Sequence, residues 1–189
     1  MIRMAKRLVL LHGWGADAND LRPVGDALSK EHPSPLDVIC LSAPEARPEA
    51  SGRQWYDLFP ARWDRVPEAV ALLRRRLLEL ADSSHPLEKT VLMGFSQGGA
   101  MSLDCGCTLP LAGVISCSGY PHPDWQPPQN HPPVLLLHGT EDPVVPVTAM
   151  ESVWEKLQGD LRQRFTFQDG HTIPQAAMRP MQTFLSSVL

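Results

Sequence analysis

The stretch Thr90-Val91-Leu92-Met93-Gly94-Phe95-Ser96-Gln97-Gly98-Gly99-Ala100 constrains the fold more than any other part of the chain. A β-branched and apolar run enters Gly94-Phe95-Ser96-Gln97-Gly98, and small residues follow. This pattern predicts a buried strand that turns sharply into a helix packed close to the sheet. A serine at the tip of such a turn has a strained backbone, and glycines at the flanking positions remove the side chains that would collide across it. Gly-x-Ser-x-Gly in this context lifts Ser96 Oγ clear of the sheet and leaves the Gln97 N–H at a helix N-terminus, where it can face a developing negative charge. Five residues alone do not separate a nucleophile from a bystander serine in a glycine-rich turn. A nucleophile also needs a base and an orienting acid, so the rest of the chain must supply them.

The rest of the chain alternates strands and helices. Lys6 to Leu11 reads as a first strand of the buried parallel type, ending in His12-Gly13-Trp14-Gly15. Asn19 and Asp20 offer caps for a helix over residues 20–30, with Pro23 in its first turn. Leu36 to Leu41 is a second strand. Residues 45–65 have little periodicity and hold Trp55, Tyr56, Phe59 and Trp63; these aromatics either wall an apolar substrate pocket or seal the loop against the core. Pro67 to Ala81 is a helix, and its Arg74-Arg75-Arg76 run reads as a solvated face. The third strand and its turn follow at 90–98. The next helix runs from Gln97 to near Pro110, Leu111–Ser116 and Pro133–Leu137 are the fourth and fifth strands, and Pro146 opens a helix to Gln158. Arg164–Gln168 is a last strand, with a final helix from Pro174. Such alternation predicts right-handed crossovers and a mostly parallel sheet of six to seven strands with helices on both faces. At 189 residues, with no repeat or linker, the expected organisation is a single domain over 1–189.

Composition excludes several classes. A net charge of −4 argues against a nucleic-acid partner. The basic start, Arg3, Lys6 and Arg7, leads into an apolar run too short for a signal-peptide core, and no stretch reaches the roughly 20 apolar residues of a membrane span. The expectation is a cytoplasmic protein without stable membrane insertion. Cys40, Cys105, Cys107 and Cys117 read as reduced packing residues; Cys105-Gly106-Cys107 lacks a second ligand pair, so no metal site is expected.

In a sheet of this kind, chemistry collects at the C-terminal ends of the strands. His12-Gly13-Trp14, Ser96, Asp142 and His171 all fall there. In the order serine, acid, histidine, which this motif follows on such sheets, only His171 lies beyond the acid. His171 is therefore the candidate base and Asp142 its orienting acid, with the adjacent Glu141 as competitor. The oxyanion donors are the backbone N–H groups of Gln97 and Trp14, the latter freed by Gly13 and Gly15 on either side.

The chain resembles the α/β-hydrolase superfamily and, within it, the small carboxylesterase, lysophospholipase and acyl-protein thioesterase family. The resemblance rests on Leu11-His12-Gly13-Trp14-Gly15-Ala16-Asp17, Ala43-Pro44, Trp55-Tyr56-Asp57, Gly94 to Ala100, Ser118-Gly119, His138-Gly139 with Asp142-Pro143-Val144-Val145-Pro146, and Gly170-His171-Thr172-Ile173-Pro174. It implies an α/β-hydrolase fold with no large lid domain, no cofactor, and hydrolysis of a small-molecule acyl ester or thioester through the triad Ser96, Asp142 and His171. It also implies a possible homodimer. The expected substrate is a short- to medium-chain acyl ester, the alternatives being a protein S-acyl thioester or a lysophospholipid. Trp14, Trp55, Tyr56 and Trp63 are the candidate substrate contacts. The departure from the family pattern around Pro60 and Trp63 bears on substrate choice and leaves the triad intact. Two readings from other classes are a hydrolase-like binding protein without chemistry, and a lipid-surface or partner-binding protein that uses the aromatic loop.

Overall fold

The structure, a computed structural model, describes residues 4–47 and 51–189. Arg3, part of the basic start, and residues 48–50 of the aromatic segment lie outside the described residues. Six strands form one sheet: β1 (Lys6–Leu11), β2 (Leu36–Leu41), β5 (Thr90–Phe95), β6 (Gly113–Cys117), β7 (Val134–Gly139) and β8 (Arg162–Phe167). The intervening β3 (Glu45–Ala46) and β4 (Arg53–Gln54) make a small antiparallel hairpin within the aromatic segment. All pairings in the main sheet are parallel, and its order is β2-β1-β5-β6-β7-β8. The chain therefore builds outward from β1 to β2, returns to β5 on the other side of β1, and continues away from it. The crevice between β1 and β5 is the topological switch point, where the loops beyond the two strand ends diverge and leave room for a ligand.

Side-chain alternation along the strands sorts residues into two cores. Val9, Leu11, Leu92, Val114 and Leu136 face α2 (Val66–Leu80), α3 (Gln97–Gly106) and α4 (Thr148–Lys156). Leu8, Leu10, Val91, Met93, Ile115 and Leu135 face α1 (Arg22–Glu31) and α5 (Gln175–Val188). A strand buried on both faces needs apolar residues at consecutive positions, which is why these strands read as unbroken hydrophobic runs. Helix α3 is the most enclosed of the described helices, with nine of its ten residues buried. Its small first turn lets it lie directly on β5 and β6. Among the described residues no separate lid domain stands over the strand ends, and no helix is long and apolar enough to cross a membrane.

The elements lie close to the expected ranges, with three local differences. Helix α1 begins at Arg22, and neither Asn19 nor Asp20 caps it with a side chain. Those residues form a turn in which the Asn19 N–H donates to Asp17 Oδ1 at 2.7 Å. The arginine run is not one solvated face: Arg75 lies on the surface near Glu79, Arg74 donates to Thr108, and Arg76 is half-buried with its guanidinium on Ser42 O at 2.8 Å. Burial pushes the Arg76 pKa below its ordinary value, with nearby Arg53 adding to the effect. Third, the aromatic segment is tied down by β3 and β4, and the Arg53 guanidinium donates to the Ala43 and Pro44 carbonyls. The four cysteines are free thiols, and burial pushes those of Cys105, Cys107 and Cys117 up to about 12.

Candidate active site

Strand β5 delivers Ser96 at the switch point in a backbone conformation of φ 54° and ψ −117°. A non-glycine residue there stores about 1–3 kcal/mol of strain, and the surroundings fix it in place. The Ser96 N–H donates to Cys117 O at 2.9 Å, and the Ala100 N–H donates to Ser96 O at 3.0 Å as helix α3 begins. The turn is possible only because its flanks lack side chains. A Cβ on Gly94 would lie 2.0 Å from Gly98 O, and one on Gly98 would lie 2.2 Å from Leu11 O.

The loops after β7 and β8 bring two further side chains to the same end of the sheet. They are joined to each other: the Thr140 N–H donates to Phe167 O at 2.9 Å and the Glu141 N–H to Asp169 O at 3.1 Å. His171 lies over the Phe95 ring at a centroid distance of 4.8 Å. Its Nδ1–H donates to Asp142 Oδ2 at 2.7 Å, which leaves Nε2 as the acceptor for the Ser96 hydroxyl at 2.9 Å. Asp142, not Glu141, meets His171; the Glu141 residue is exposed. The Asp142 side chain has no solvent exposure. Burial alone would raise its pKa, but the His171 hydrogen bond and the Val145 and Val144 N–H groups, both 2.9 Å from Oδ1, outweigh it and hold the carboxyl below its ordinary value.

The loop after β1 reaches Ser96 from the other side of the crevice. Gly13 is so close that an added Cβ would stand 3.4 Å from Ser96 Cβ. Among the described residues neither the Trp14 N–H nor the Gln97 N–H has a protein acceptor, and both flank the serine. The Trp14 ring is half-buried, with its Nε1–H on Gln54 Oε1 at 3.1 Å, Phe59 edge-on at 5.0 Å and the Arg47 guanidinium over it at 3.7 Å.

The four aromatics of the 45–65 segment separate. Trp55 and Tyr56 are 2% and 1% exposed and belong to the core, so they seal the loop rather than wall an open pocket. Trp55 Nε1–H donates to His12 O at 2.9 Å, and Tyr56 OH meets Tyr120 OH at 2.8 Å and His122 Nε2 at 2.9 Å. Buried indole and phenol groups need such partners, and once supplied they anchor the segment. Trp63 is 40% exposed and lines a cavity of about 690 Å³ with Val66, Val70, His122 and Trp125. Phe59 is 74% exposed beside Trp14.

Several side chains support the site in ways the sequence motifs do not reveal. The Gln97 side chain is fully buried and clamps the aromatic segment: its Oε1 accepts from the Trp55 N–H at 3.0 Å and its Nε2–H donates to Tyr56 O at 2.8 Å. His138 Nε2–H donates to Val145 O at 2.8 Å and lies 3.6 Å from Asp142 Oδ2, bracing the acid loop from below. Asp104 Oδ2 accepts from His122 Nδ1–H at 2.7 Å and completes the Tyr56 network. The clamp has a measurable cost of removal. Gln97→Leu leaves a buried N–H and a buried C=O unpaired, so urea denaturation of this variant is expected to show a loss of about 2–4 kcal/mol. An unchanged midpoint would mean that the segment is held from elsewhere.

A family model described as phospholipase/carboxylesterase matches residues 3–189. The chain belongs to that family. Among solved structures, that of esterase PE8 superposes on it with a TM-score of 0.88 and 32% identity, covering 99% of this chain and 94% of that one. Acyl-protein thioesterase 1 of Gibberella zeae is 40% identical over 88 residues, 41% of this chain and 37% of that protein. Acyl-protein thioesterase 1 of Yarrowia lipolytica is 35% identical over 106 residues, 48% of this chain and 47% of that protein. The chain thus spans less than half the length of these two curated relatives. The match to the phospholipase/carboxylesterase family and the superposition agree on the fold: the parallel sheet and its two helical layers are those of an α/β-hydrolase.

Proposed function

We propose that the chain is a serine hydrolase that cleaves small acyl esters or thioesters through an acyl-enzyme. The observation that carries this reading is the continuous line from Ser96 Oγ through His171 to the buried Asp142 carboxylate, with spans of 2.9 and 2.7 Å. In the first half-reaction Ser96 Oγ bonds to the acyl carbon while its proton passes to His171 Nε2. The carbonyl π electrons move to oxygen, and the Trp14 and Gln97 N–H groups stabilise the resulting oxyanion. Collapse breaks the bond to the leaving oxygen or sulfur, which takes the proton back from His171. Water then repeats the sequence on the acyl-enzyme and releases the carboxylic acid and free Ser96. Asp142 keeps His171 in the tautomer that this requires and stabilises the imidazolium.

In this reading the acyl chain meets the accessible parts of Trp14 and Trp63, with Phe59 beside Trp14, while Trp55 and Tyr56 support the segment from beneath. Ester and thioester share the oxyanion geometry, so the two are separated by rates rather than by residues. The test is turnover of p-nitrophenyl esters of increasing acyl length beside the matching acyl thioesters, with mass spectrometry after a fluorophosphonate probe. The expected result is turnover of one series, with the probe's mass on the peptide that holds Ser96. A folded protein that turns over neither series and takes no probe would remove the enzymatic reading and favour a binding protein.

A further inference from the structure

His12 is buried beneath the loop that reaches Ser96, and the reaction as proposed does not use it. Its two ring nitrogens are both engaged. Nε2 lies 3.0 Å from the Ala43 N–H, and a backbone amide can only donate, so Nε2 is the bare nitrogen. The proton is therefore on Nδ1, which donates to Gly13 O at 2.7 Å. Burial pushes the His12 pKa below its ordinary value. The Gly13 hydrogen bond and the Asp17 and Asp20 charges oppose this and Arg53 adds to it, so the net result is a neutral ring with one fixed tautomer.

Gly13 O has significance beyond its own residue. It and the Trp14 N–H are the two ends of one planar trans peptide, and they point in opposite directions. Whatever grips the oxygen aims the hydrogen. Because Gly13 has no Cβ, its own backbone preferences do little to stop that peptide from rotating. Rotation would turn a carbonyl dipole toward the site where the oxyanion forms and remove the donor. The Ala16 N–H also donates to Gly13 O, but at 3.3 Å, so the ring supplies the shorter of the two bonds. The ring cannot shift easily: it packs against Trp55 at a centroid distance of 5.7 Å, and His12 O accepts from the Trp55 indole. We propose that His12 is a positioning residue that locks the Gly13–Trp14 peptide with its N–H aimed at the oxyanion, and so carries the rigidity of the Ala43 and Trp55 region into the catalytic step. This rests on the serine hydrolase reading above.

The test compares two variants that each keep half of the ring's bonding. His12→Asn places an N–H donor where Nδ1 stands and keeps the grip on Gly13 O. His12→Gln reaches the place of Nε2, keeps the acceptor for Ala43 and loses that grip. The expected result is a kcat lowered about 100-fold in His12→Gln, near the effect of losing one oxyanion donor, with KM changed less than about threefold. His12→Asn should recover at least about tenfold of that loss at a similar Tm. A folded His12→Gln with wild-type kcat overturns the proposal, as does an equal loss in both variants that follows their Tm. Nitrogen-15 spectra of wild-type histidine give a reading that needs no variant: His12 should carry its proton on Nδ1, and the opposite tautomer overturns the proposal. Fluorophosphonate labelling separates the two levels. If wild type is labelled at Ser96 while His12→Gln keeps its kcat, only the positioning role fails. If wild type turns over but is not labelled at Ser96, the assignment of Ser96 as nucleophile fails, and the positioning role with it.

Discussion

Replacing Ser96 by alanine lowers kcat/KM for the preferred ester by at least about 10⁴-fold, because the variant retains the oxyanion donors but has no nucleophile for His171 to activate. The loss should appear in kcat, since the aromatic surfaces proposed to hold the acyl group are untouched. Stability should follow a different rule. The alanine variant keeps a side chain at φ 54°, so it keeps the strain of the turn. Ser96→Gly is equally inactive but relieves that strain, and its free energy of unfolding should exceed that of Ser96→Ala by about 1 kcal/mol or more. Steady-state kinetics and urea denaturation on the same three proteins check both statements. Residual turnover in Ser96→Ala within about tenfold of wild type would mean that another group attacks the substrate.

Asp142→Asn is expected to cost about 10⁴-fold in kcat through the tautomer of His171, not through the fold. The argument is set by the amides around the acid. Oδ1 accepts from the Val144 and Val145 N–H groups, so in the variant the amide oxygen must remain there. The new NH₂ then occupies the place of Oδ2 and donates to His171 Nδ1. That forces the ring proton onto Nε2, which can no longer accept from Ser96. The charge also matters to pH dependence. The Asp142 carboxyl lies below its ordinary value in the folded protein, so its contribution to stability is complete above the ordinary carboxylate range and is lost as pH falls through the lowered value. A plot of unfolding free energy against pH should lose this acid-side slope in Asp142→Asn. Equal slopes in the two proteins would mean that the carboxyl is not held down by its partners.

Much of this was legible in the chain because it is written locally. A buried parallel strand must be apolar at consecutive positions, and a strand-to-helix turn that leaves no room for a Cβ must carry glycine. Thus β1, β2, β5 and the Ser96 turn could be placed within a residue or two. Sheet order could not be read in the same way, since nothing in Leu36–Leu41 says on which side of β1 it pairs. The aromatic segment was ambiguous for a related reason. Trp55 and Tyr56 look the same in sequence whether they face a pocket or the core, and their burial depends on partners far along the chain, Gln97, Tyr120 and His122. Asp142 and Glu141 were neighbours with equal chemistry; what separates them is that two amides and His171 converge on Asp142. His12 and His138 could be read only as parts of motifs, because a histidine's tautomer is set by what its other nitrogen meets.

The position of β8 at the border of the sheet divides the site into two mechanical halves. Ser96 and the Trp14 and Gln97 amides stand on β1, β5 and α3, each enclosed by neighbours on both sides. His171 hangs from β8, which pairs along one edge only and exposes much of its length. Interior strands open only with the whole molecule, whereas a border strand can loosen on its own. The part that must already be in place when charge appears is therefore built into the stiffest region of the molecule. On the proposed mechanism, the part that only has to swing a proton between two oxygens, or between an oxygen and a sulfur, is fastened to a strand at the border of the sheet.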